Sequence, residues 1–200
     1  MPERLSDLKI LIGEYERRAG PGLELRVEGD ETKPVIAGYA AVFNQEVEIG
    51  PFREVIRPGA FMGAIAEDDV RFLFNHEEST VMARNRAGTL RLAEDDRGLK
   101  VEADVNPDDD DVRRLITKLR RGDVTQMSFA FQTLEEKWNQ EPKTPLREVL
   151  KVRLFDVSAV TFPAYPQTTV AVRSRAQELA EAWRHDLARR KRLLTLAEAE

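Results

Sequence analysis

Three polar residues interrupt apolar, strand-like runs in this chain: His76 in RFLFNHE, Ser128 in GDVTQMSFAF and Asp156 in LFDVSAV. Read with period two, Met127, Phe129 and Phe131 point one way from their strand and Gln126, Ser128, Ala130 and Gln132 the other. Three large apolar side chains on one face can anchor such a strand and hold Ser128 in a fixed place, as a nucleophile or simply as a small residue in a sheet. A hydroxyl is a poor nucleophile near neutrality unless a base takes its proton. A histidine at a strand end supplies one, because its reference pKa of about 6.5 lets it accept and return a proton. The ring then needs a third group to fix its tautomer, and Asp156 is the attractive carboxylate, since a charge inside an apolar strand demands compensation. An arginine or backbone partner, or a solvent-facing position, would account for Asp156 equally. Ser158 lies on the same strand face and is a rival hydroxyl, a partner or a packing residue.

Other candidates are weaker on chemical grounds. The chain has two histidines, and the second, His185 in AWRHDLARRKR, lies in a charged helical pattern with no strand to hold it. Glu77 follows His76 directly, yet neighbouring strand residues face opposite sides. The run DDDD at 108–111 lacks the alternating ligands and glycine of a calcium loop and precedes a helix, where acidic residues cap and meet the dipole. With no cysteine, thiol catalysis, disulfides and thiolate zinc sites are excluded. There is no HExxH, no phosphate-cradling glycine loop and no GxSxG elbow. Any chemistry must be assembled from distant strands.

The elements that would carry these residues form an α+β pattern. LSDLKILIGEYERR at 5–18 places Leu5, Leu8, Leu11, Ile12 and Tyr15 at helical spacing, ahead of a GPG stop. Strand language begins at PVIAGYAAVFN and continues through FREVIRPGAF, RFLFNHE and the hairpin TLRLAEDDRGLKVEADV. NPDDDDVRRLITKLRRG then sets Val112, Leu115, Ile116 and Leu119 on one helical face, with acids before it and Arg120, Arg121 and Gly122 at its end. Strands return at 124–134 and 147–163, separated by the charged segment EEKWNQEPKTP, a hairpin connection or flap. The predicted organisation is an N-terminal helical extension (1–32), a mostly β core (33–173) and a helical tail (174–200).

At 200 residues the chain has room for one substantial core. No apolar run reaches the roughly 18 residues of a membrane span, and the charged N-terminus does not read as a secretory signal. An intracellular setting is expected. The net charge of −5 supplies no general attraction to nucleic acid, and RRKR at 189–192 reads as a solvated helix face.

RFLFNHE, GDVTQMSFAF and LFDVSAVTFPAYPQT, with GYAAVFNQ and REVIRPGAF upstream, occur in the order found in the prohead maturation proteases of tailed bacteriophages. The chain resembles that family from about Gly38 to Val172. The resemblance implies a serine peptidase with a mostly antiparallel, β-barrel-like core and peripheral helices, similar to the herpesvirus assemblins. It implies His76 as base, Ser128 as nucleophile and Asp156 as third member, with no metal or organic cofactor. Two departures stand out: Ala130 replaces a glycine common in the family, and VMAR replaces a small apolar-glycine step after the histidine. The implied substrates are the major capsid protein precursor and a scaffold protein where one exists, cleaved inside the immature capsid in the host bacterial cytoplasm. Self-processing and a second protease copy as partner also follow from the resemblance; an inactive capsid-assembly or scaffold-binding domain of the same fold is the alternative. Neither nucleic acid nor membrane is required.

Overall fold

The structure is a computed structural model, and it describes residues 15–19, 25–50, 52–139 and 144–162. In chain order its elements are β1 (Glu16–Arg18), β2 (Leu25–Glu28), β3 (Val35–Val42), β4 (Val47–Ile49), β5 (Phe52–Ile56), α1 (Met62–Glu67), β6 (Arg71–Phe74) and β7 (Val81–Arg84). There follow β8 (Leu90–Glu94), β9 (Gly98–Asp104), α2 (Asp110–Arg121), β10 (Gln126–Asn139) and β11 (Leu146–Val160). The α+β expectation holds. One sheet runs β1-β10-β11-β5-β4, with β6 on β11 and β7 on β6; the other runs β2-β3-β9-β8. Pairing among the described strands is antiparallel except where β11 meets β5 and β6.

β10 and β11 organise the molecule. They pair from Gln126↔Val160 to Asn139↔Leu146, so Glu135–Asn139 of the charged segment continues β10 along β11. On its other edge β11 takes β5 along Leu146–Val149 and β6 along Asp156–Ala159. Met127, Phe129 and Phe131 are fully buried, as the period-two reading requires, and Phe129 meets Phe61 edge-on at 5.4 Å. The same core contains Ile36, Leu99 and Val101 of the second sheet, so burial of both sheets fixes the Ser128 strand.

The predicted helix before that strand is present as α2. Asp109 caps it, accepting from the amides of Asp111 and Val112, and Gly122 ends it in the left-handed region at φ 78°. Val112, Leu115 and Ile116 are its buried residues. The N-terminal reading needs correction. Glu16–Arg18, expected at the end of a helix, is a strand on β10, and Leu25–Glu28, expected outside the β core, is a strand on β3. The open edge of β10 and buried ion pairs to Glu16 and Arg18 outweigh a helical pattern that is already fading there. Residues 5–14 and the tail from 174 lie outside the described residues, as does His185.

Candidate active site

Strand register brings the candidates together. Ser128 on β10 lies directly opposite Ser158 on β11, and Asp156 is two residues from Ser158 and on the same face. β6 runs parallel to β11 and ends at Phe74, opposite Ala159, which delivers the next two residues to the site. Those residues, Asn75 and His76, both have positive φ, 54° and 60°. Asn75 suits the left-handed region. Its amide donates to the Ala159 carbonyl at 2.9 Å, and its side-chain oxygen accepts from the Thr161 amide at 2.9 Å. Two left-handed residues in succession turn the chain back and aim the imidazole across the end of β11. An outlier of this kind persists only where its surroundings enforce it.

His76 Nε2 is 2.8 Å from Ser128 Oγ, and His76 Nδ1 is 2.6 Å from Asp156 Oδ1. All three residues are buried. Asp156 Oδ1 also accepts from Ser158 Oγ at 2.7 Å, and Oδ2 accepts from the Tyr15 hydroxyl at 3.0 Å. Burial pushes the Asp156 carboxyl up, but hydrogen bonding and charge from His76, with help from Ser158 and Tyr15, hold it below its ordinary value. The Asp156 carboxylate thus holds Nδ1 as a donor and leaves Nε2 to face the serine. Tyr15 is pushed up by its own burial and by the adjacent Asp156 charge, so its phenol keeps the proton it donates.

Ser158 faces the carboxylate and not Nε2. It donates to Asp156, and its nearest imidazole atom is Nδ1 at 3.2 Å, the nitrogen already committed to the carboxylate. Glu77 is exposed, and Glu148 pairs with Arg57 at 2.9 Å. Sequence reasoning missed Tyr15 and the whole of β1. The Arg18 carbonyl lies 2.9 Å from Ser128 Oγ, and Glu16, Arg18, Glu54 and Arg147 form an ion cluster beside it.

The arrangement is a base held between a hydroxyl and a carboxylate, each on a different strand or strand end. It is equipped to move a proton from Ser128 to His76 and to stabilise the resulting imidazolium. A family model described as caudovirus prohead serine protease matches residues 22–182, which include His76, Ser128 and Asp156. The chain belongs to that family. The prohead protease of Enterobacteria phage HK97 is 29% identical over 150 residues, a match covering 74% of this chain. The chain spans 64% of the length of that curated relative. No solved structure matches the chain. β1 lies upstream of the family match, although it packs directly against the site.

Proposed function

We propose that the protein is a serine endopeptidase of phage prohead maturation, with Ser128 as nucleophile, His76 as general base and acid, and Asp156 as the group that orients and charge-balances His76. The observation that carries this reading is the continuous Asp156–His76–Ser128 hydrogen-bond line, with contacts of 2.6 and 2.8 Å. In the acylation step Ser128 Oγ attacks a peptide carbonyl carbon while its proton passes to His76 Nε2. The C–N bond then breaks as His76 returns that proton to the leaving amine, and an acyl-serine remains. Water, deprotonated by His76, releases the acid and restores the hydroxyl. Every proton is carried by side chains of this chain, and no metal or organic cofactor enters the scheme.

The substrates in this reading are the major capsid protein precursor and a scaffold protein where the phage has one, met inside the immature capsid. No helix among the described residues is long and apolar enough to cross a membrane. Coexpression of the full chain with its cognate capsid precursor tests the proposal. The wild type should shorten the precursor, and Ser128→Ala should leave it intact while remaining folded. Intact precursor with both proteins, under conditions where shells assemble, favours an assembly domain that keeps the fold without the chemistry.

A further inference from the structure

β1 covers the edge of the strand that carries Ser128. It is antiparallel to β10, with Glu16↔Phe131, Arg17↔Ala130 and Arg18↔Phe129, and among the described strands it is the outermost on the side that carries Ser128. A peptide added to a sheet edge binds by the same main-chain ladder and is read through alternate side chains. Here the Arg18 carbonyl reaches Ser128 Oγ at 2.9 Å, and the alternate residues Glu16 and Arg18 both point into the protein.

The wall they meet is built from Glu54 of β5 and Arg147 of β11, which are register partners. Glu54 takes the Arg18 guanidinium in a fork, at 2.7 and 3.0 Å. Arg147 holds Glu16 through contacts of 2.7 and 3.0 Å, and Thr133 donates to Glu16 at 2.7 Å. Arg147 is held in place by Glu54 and Glu136 as well, both at 2.7 Å. The wall therefore presents a fixed cation and a fixed anion whose spacing matches residues two apart on an extended strand.

Ser128 adds a second observation. Its hydroxyl carries one proton, and two acceptors stand within reach, His76 Nε2 at 2.8 Å and the Arg18 carbonyl at 2.9 Å. While that proton points at Arg18 it is not delivered to the base. We propose that Tyr15–Ala19 is an in-cis occupant of the peptide-binding cleft. By the same token, the cleft reads an extended peptide with an acidic residue at the Glu16 position and a basic residue at the Arg18 position, whose carbonyl is set against Ser128. This rests on the protease reading above and adds to it a substrate class and a self-blocking state.

Three nine-residue peptides test it: residues 13–21 (GEYERRAGP), the same peptide with Glu16→Lys, and the same peptide with Arg18→Glu. Each is fluorescently labelled and titrated against full-length Ser128→Ala protein, with anisotropy reporting the cleft independently of chemistry. The unaltered peptide should bind at least tenfold more tightly than either charge-swapped one. Adding Arg18→Ala to the protein, which loosens the resident strand, should tighten its binding further. Equal affinity for all three peptides overturns the inference, as does an affinity for GEYERRAGP that Arg18→Ala leaves unchanged in a protein of normal thermal unfolding. Ser128-dependent hydrolysis of a generic casein substrate is measured alongside in Arg18→Ala protein, whose loosened resident strand leaves the cleft open. Casein cleavage without peptide discrimination removes this inference and leaves the protease reading standing. Discrimination without any Ser128-dependent cleavage does the reverse.

Discussion

Asp156→Asn separates chemistry from packing more sharply than any other substitution in the site. The carboxylate accepts from His76 and Ser158 on one oxygen and from Tyr15 on the other. Asparagine can keep its oxygen toward His76 and Ser158, with its amide facing the Tyr15 oxygen, so most of the hydrogen bonds survive in that orientation. What it cannot keep is the charge. An imidazolium and a carboxylate with charge centres about 4 Å apart interact by about 4 kcal/mol at an effective dielectric of about 20. At about 1.4 kcal/mol per factor of ten, losing that term slows turnover about 10³-fold. The opposite amide orientation adds to this, because an N–H aimed at Nδ1 forces the proton to Nε2 and leaves no base for Ser128. The full loss then approaches 10⁴-fold. The assay is kcat/KM on a processed peptide, with chemical denaturation of the same preparation. A folded Asp156→Asn protein within tenfold of wild-type kcat/KM would refute the reasoning and leave a Ser128–His76 dyad.

Acid should erode the stability that Asp156 supplies. Its folded pKa is depressed, so its contribution is complete above the unfolded carboxyl value of about 4 and is lost as pH falls through the folded one. Denaturation of wild type and Asp156→Asn at pH 6 and pH 3 should therefore show the gap between them narrowing at pH 3, and a gap that widens contradicts the assignment. Asn75→Ala loses the bond to the Thr161 amide and places alanine at positive φ, and should cost about 1–3 kcal/mol with a disproportionate fall in kcat. Asn75→Gly, which relieves the backbone alone, should retain more activity than alanine; equal losses would deny the turn a role in aiming His76. In the other sheet, Gly98 leaves no room for a side chain, since an added Cβ would lie 2.0 Å from the Ala41 carbonyl oxygen. Gly98→Ala should lower thermal stability by about 3 kcal/mol or more while a folded fraction keeps its activity per molecule.

Much of this site was legible because strand periodicity and burial act locally. Alternation in MSFAF predicted which side chains anchor β10, and Phe129 and Phe131 are buried as expected. The acid-to-base gradient and terminal glycine of 107–122 predicted α2. Asp156, a charge in an apolar strand, announced a partner, and His76 is that partner. The misses share a different cause. Glu16 and Arg18 sit in a short polar stretch whose local pattern favours a helix, and their strand state depends on Glu54 and Arg147, distant in sequence. Nothing in ERR reveals that. The left-handed turn at Asn75–His76 is likewise imposed by Ala159 and Thr161 across the sheet.

The central claim is that His76 activates Ser128 and no other hydroxyl. Treating the folded, full-length protein with a biotinylated fluorophosphonate and mapping the adduct by mass spectrometry measures this directly, because Ser158 lies close enough to the same imidazole to compete. The account predicts a single adduct on Ser128 that His76→Ala abolishes and Ser158→Ala preserves. An adduct on Ser158, or labelling of Ser128 that persists at an unchanged rate in His76→Ala, would contradict it.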